Sequence, residues 1–188
     1  MVAPALLPWT GDEAADRLLA QDPNALLIGF VLDQQVTVQK AFVGPAVLRE
    51  RLGHLDPARI ATMDADAFLA VCREKPAVHR FPGTMAARIQ DLCHVLVETY
   101  GGDGARIWTE ATSGPELADR LGALPGIGSL KVTSLMVLLA KQYGVELPGL
   151  ATLLPAYPTL GEVRTAEELA TYQAGKRAAK AAKRAAAQ

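Results

Sequence analysis

Apolar residues in the stretch TMAARIQDLCHVLVETYG fall at Ile89, Leu92, Val95 and Leu96, the period of an amphipathic helix, whereas no window of the chain alternates with period two for long. A chain with only the helical period buries its apolar residues by packing helix on helix. The spacing predicts an all-α fold of about eight to ten short helices joined by Gly/Pro turns. Capping-box spacing at Thr10 and Glu13, Ser113 and Glu116, and Thr165 and Glu168 marks helix starts, as do Asp56 before Pro57 and Asp64, while Gly101 and Gly102 mark an end. ALLIGFVL (Ala25 to Leu32) and LMVLLA (Leu135 to Ala140) are too apolar for a surface and are expected to be central. Gly144 to Val163, with Pro148, Pro155, Pro158 and three glycines, is expected to be a long loop or broken turns.

The 188 residues suffice for one domain or two small lobes with a core that needs no disulfide. We divide them into residues 1–164, the main domain, and 165–188, a last helix with a basic tail. No apolar run is long enough to cross a bilayer and the first residues lack a basic leader region, so a cytoplasmic, nucleoid-associated protein is expected. Cys72 and Cys93 sit in helical patterns and read as buried thiols of a reducing compartment; two cysteines cannot build a four-cysteine metal site or an iron–sulfur cluster. His54, His79 and His94 lie on separate elements, so neither metal nor cofactor is expected. The net charge of −1 conceals an asymmetry: Lys176, Arg177, Lys180, Lys183 and Arg184 stand in a tail without acids, leaving −6 for the rest. A near-neutral total therefore does not exclude a polyanionic partner.

The segment LGALPGIGSLKVTSL puts a Pro-Gly-x-Gly turn between two predicted helices. Gly126 and Gly128 permit positive φ and close approach of bare backbone, and the helix from Ser129 offers unpaired N–H groups, a combination that suits a phosphate. Lys131 adds a charge one turn later. An ordinary αα-hairpin, in which the glycines serve helix packing, is the structural alternative.

Three segments in order, LLIGFVLDQQVTVQKAF, FPGTMAARIQDL and LGALPGIGSLKVTSL, resemble the helix-hairpin-helix superfamily of base-excision DNA glycosylases, which includes endonuclease III, over roughly Asn24 to Tyr143. The resemblance implies that a monomer binds double-stranded DNA carrying a damaged or modified base, with no role for a membrane. It implies that Gln35, with Gln34 beside it, wedges into the duplex where a base is extruded. The alternative for both glutamines is a solvated helix end. His79 and Arg80, in a loop before a helix, could meet a phosphate or the flipped base, with a solvated turn as the alternative, and Trp9, Trp108 and Tyr157 are candidates for stacking on a base, with a core or lid role as the alternative. Gly126, Gly128, Ser129 and Lys131 would hold the phosphate backbone, joined by the five cations of the tail.

Two departures qualify the resemblance. The lysine that forms a Schiff base in strand-cleaving members lies two residues after the second hairpin glycine, where this chain has Leu130. Because one residue turns a helix by about 100°, Lys131 is expected to point away from the pocket, and no lyase chemistry is expected. The aspartate of most active members is also missing, since no Asp follows Asp119. Asp33, at the end of an apolar helix, is the leading replacement, Glu146 a weaker one, and Glu162 weaker still; a capping role for Asp33 and a solvated carboxylate at the other two are the alternatives. The expected activity is hydrolysis of the N-glycosidic bond without strand cleavage. A glycosylase-like protein that binds distorted DNA without catalysis, and a helical interaction protein with a purely structural hairpin, are the rivals.

Overall fold

The computed structural model describes residues 3–185, and among these it contains α-helices, one 3-10 turn and no strand. The helices are α1 (Glu13–Gln21), α2 (Pro23–Leu32), α3 (Val38–Leu52), α4 (Pro57–Ala61), α5 (Ala65–Arg73), α6 (Pro82–Tyr100), α7 (Arg106–Thr109), α8 (Gly114–Gly122), α9 (Ser129–Gln142), α10 (Leu150–Leu153) and α11 (Ala166–Ala185), with the 3-10 turn at Leu160–Glu162. No described helix is long and apolar enough to cross a membrane.

The two most apolar segments are central. Every residue of α2 from Ala25 to Leu32 is buried, with α1, α3 and α6 packed around it. Leu135 to Leu139 of α9 are buried beneath α8 and the 3-10 turn. That turn lies so close that a Cβ on Gly161 would stand 2.5 Å from Leu138 N and collide with Ser134 O. Only glycine allows this approach. The segment from Gly144 to Val163 is otherwise loop, interrupted by α10 and the 3-10 turn, as its prolines predict.

Polar tethers join the ends of the chain to this core. Trp9 packs edge-on against Phe42, centroids 4.8 Å apart, while its Nε1–H donates to Val163 O at 3.3 Å. Tyr143 O–H donates to Ala20 O at 2.9 Å. Buried Asp16 accepts from the Trp9 and Thr10 amides and from Thr10 Oγ1. Thr10 therefore does not cap α1; Asp12 does, accepting from Ala15 N at 2.9 Å. The other starts form where expected: Ser113 caps α8, Asp56 and Asp64 cap α4 and α5, and Thr165 with Glu168 makes a reciprocal capping box. Each such cap contributes about 1 kcal/mol. Cys72 and Cys93 are buried free thiols, both pushed up to about 12 by burial.

α11 is different in kind. Leu169 is buried and Tyr172 and Gln173 are half-buried, but every described side chain from Ala174 onward is exposed, so its second half projects from the body.

Candidate functional site

The last turn of α2 is the meeting point. The Asp33 amide caps this helix by donating to Gly29 O and Phe30 O, and the chain then turns through Gln34 and Gln35 before Thr37 caps α3. Gln35 has φ of 56°, a left-handed conformation unusual for a residue with a side chain, and it is exposed. The Asp33 carboxyl is half-buried; burial raises its pKa, and the ammonium groups of Lys176 and Lys131 oppose that rise.

Lys131 reaches this point from α9. Its Nζ donates to Gly126 O at 2.9 Å and Val31 O at 3.4 Å, so one ammonium ties the turn before α9 to the C-terminal carbonyls of α2, beside Asp33. A cation at a helix C-terminus is favourable. Burial lowers the Lys131 pKa, Asp33 raises it and Arg88 lowers it. The expectation that Lys131 points away is thereby corrected: Leu130 faces solvent at 74 % exposure and Lys131 turns inward. The sequence carried the signal, since Lys131, Leu135, Leu138 and Leu139 share one helical stripe, the buried one.

The turn joining α8 to α9 is asymmetric. Gly126 has φ of 78° and its missing Cβ would lie 3.4 Å from Val31, so the glycine is needed there. Gly128 has φ of −86° and nothing within 4 Å of where a Cβ would be, so it does not use the positive φ foreseen for it. Gly128 and Ser129 are exposed at the N-terminus of α9, which no side chain caps.

Arg88 and Tyr172, with no role assigned from the sequence, and His79 complete the cluster. Arg88 of α6 donates from Nη1 to Gln34 Oε1, turning that carboxamide inward and leaving Gln35 as the outward-facing glutamine. His79, 1 % exposed, contacts Gln34 O through Nε2 at 2.9 Å. Tyr172 of α11 stands near enough to Asp33 to feel its charge, with Lys176 Nζ 5.4 Å from the ring centroid. Beside them, a groove of about 960 Å³ runs between α11 and residues 158–165, lined by Thr159, Val163, Thr171, Tyr172, Gly175 and Lys176 among others.

The remaining candidates lie elsewhere. Glu146 is exposed beyond the far end of α9, which ends about three helical turns from Lys131. Glu162 is taken up by Lys141 and the Thr159 amide. Arg177, Lys180 and Arg184 are exposed on the projecting half of α11; the side chain of Lys183 lies outside the described residues. Trp9 and Trp108 are core, while Tyr157 is 56 % exposed.

One end of the molecule thus combines a carboxyl of raised pKa, an ammonium fixed by two carbonyls, an outward amide on a strained turn and a bare helix N-terminus. Such a set can hold a phosphate and stabilise positive charge close by. Comparison with known proteins yields no matching family model, no similar curated protein and no similar solved structure.

Proposed function

We propose that the chain is a DNA-binding domain of the helix-hairpin-helix glycosylase type that extrudes a damaged or modified base and hydrolyses its N-glycosidic bond. The observation carrying this reading is the Lys131 ammonium, which joins two separate sequence segments, the α2 end running into Asp33 and the PGIG turn, into one cluster. The exposed N–H groups at Gly128 and Ser129 take a backbone phosphate, which positions the duplex without reading sequence. Gln35 enters the space the base vacates. As the C1′–N bond breaks, its electron pair leaves with the base, and the Asp33 carboxylate faces the positive charge developing on the sugar. Water then bonds to C1′ and gives its proton to that carboxylate. Lys131 serves as the clamp, and no strand is cut.

The test is single-turnover hydrolysis on duplexes bearing uracil, hypoxanthine, alkylated or oxidised bases, scored for abasic sites. Asp33→Asn should slow whichever substrate reacts by at least about tenfold, about 1.4 kcal/mol, with DNA affinity nearly intact. Loss of rate in Glu146→Gln instead would move the acid to the loop. Strand scission without alkali would give Lys131 the role of a nucleophilic amine. Distorted DNA bound but no lesion processed would leave the binding-protein reading in possession.

A further inference from the structure

His79 is the one buried histidine, and its two nitrogens are spent on two different turns. Nε2 meets Gln34 O at 2.9 Å, and Nδ1 accepts from the Phe81 amide at 3.0 Å. A carbonyl needs a donor and an amide needs an acceptor, so both contacts are satisfied at once only by the neutral ring with its hydrogen on Nε2. The segment carrying His79 is itself pinned: Arg51 donates to Val71 O at 2.8 Å and Pro76 O at 2.9 Å, and Lys40 Nζ donates to Ala77 O. The ring therefore links a fixed loop to the turn that holds Gln35 at its strained φ of 56°. A strained turn persists only where its surroundings over-determine it, and on the His79 side this bond is what does so.

We propose that neutral His79 is the positioning residue for the Gln34–Gln35 turn. A second proton must go to Nδ1, where it displaces the bond from Phe81 N–H and leaves that amide without its acceptor. The charged groups acting on the ring, Lys40 from α3 and Arg80 from its own loop, are both cations and oppose that proton. Burial opposes it more strongly, the carbonyls of Gln34 and Leu32 favour it, and the net effect is a pKa below the ordinary histidine value. The neutral ring that satisfies both contacts is thus the form held at neutral pH; on acidification the Nε2–H bond to Gln34 O remains while the Phe81 contact is lost. The role in base extrusion rests on the proposed function; the role in holding the turn does not.

The experiment uses the full chain and three forms: wild type, His79→Gln, whose carboxamide has one donor and one acceptor but does not titrate, and His79→Leu, which has neither. In wild type, NMR should show the Nε2–H tautomer, a His79 midpoint below the usual value of about 6.5, and a Phe81 amide shift that follows the same midpoint. His79→Gln should keep the neutral-pH shifts and lose the titration, while His79→Leu should show mobile Gln34 and Gln35 amides at every pH. On a duplex with 2-aminopurine in a mismatch, extrusion read by fluorescence should fall at least about tenfold in His79→Leu, with affinity within about threefold, and be restored in His79→Gln. A Phe81 amide that ignores the His79 titration, or Gln34 and Gln35 amides that stay ordered in His79→Leu, overturn the proposal. If wild type binds no DNA, the proposed function fails while the order of the Gln34 and Gln35 amides in His79→Leu still decides the role of His79.

Discussion

Asp33 combines a stabilising and a destabilising role in one residue. Its amide completes α2, but its carboxyl is charged where burial disfavours charge, and the two nearby ammonium groups offset only part of the penalty. The folded state therefore holds the Asp33 proton more tightly than the unfolded chain does. That contribution to stability is present at low pH and is lost as pH rises through the raised value. Asp33→Asn keeps the backbone cap and removes the ionisation. It should melt above wild type at pH 7 to 8, and the gap should close as pH falls towards the ordinary carboxylate range. Thermal melts of both proteins across pH check this, and a gap that is constant or widens on acidification refutes it. A variant more stable and less active is the usual mark of a carboxylate kept for chemistry.

The turn between α8 and α9 separates two uses of glycine that look alike in PGIG. Gly126→Ala places a side chain at φ of 78° against Val31 and should cost about 1–2 kcal/mol of stability. Gly128→Ala fits its backbone and open surroundings, so stability should change by less than about 1 kcal/mol, the small losses at an N-cap set against a less flexible unfolded chain. If bare backbone at Gly128 meets a phosphate, the same methyl should weaken duplex binding at least about fivefold, close to 1 kcal/mol, equally for all sequences. Denaturation and titration of both variants separate fold from contact; a Gly128→Ala protein that binds like wild type leaves this turn a purely structural αα-hairpin. The spacing of residues also explains what the sequence revealed of Lys131. Comparison with the strand-cleaving pattern placed it one position off and hence outward, but the buried stripe of α9 turns it in, because core packing and not the motif's register sets the roll of a helix.

At the scale of the whole molecule, the fold was legible because it is written locally: caps at Ser113, Asp56, Asp64 and Thr165, a stop at Gly101, and two segments apolar on every side. The site was legible only in part. Asp33, Gln34, Gln35 and Lys131 stood out by type and position and His79 by its loop before a helix, whereas Arg88 and Tyr172 enter it from α6 and α11, across distances in sequence that no local spacing encodes. The basic tail was legible as charge but not as shape. It forms the projecting half of α11, with Lys176 over the Tyr172 ring and near enough to act on the Asp33 charge, and Arg177, Lys180 and Arg184 facing solvent. Exposed side chains that contribute nothing to the core are available to phosphates at no cost in stability, so removing residues 174–188 should leave Tm nearly unchanged. If all five cations of that stretch meet phosphates, each neutralised phosphate contributes about 0.9 to the slope of log K against log salt, and the truncated chain should bind with a slope shallower by up to about 4.5. A reduction near 0.9 would mean that only one of the five meets a phosphate. An unchanged slope would show that α11 projects for some purpose other than the DNA backbone.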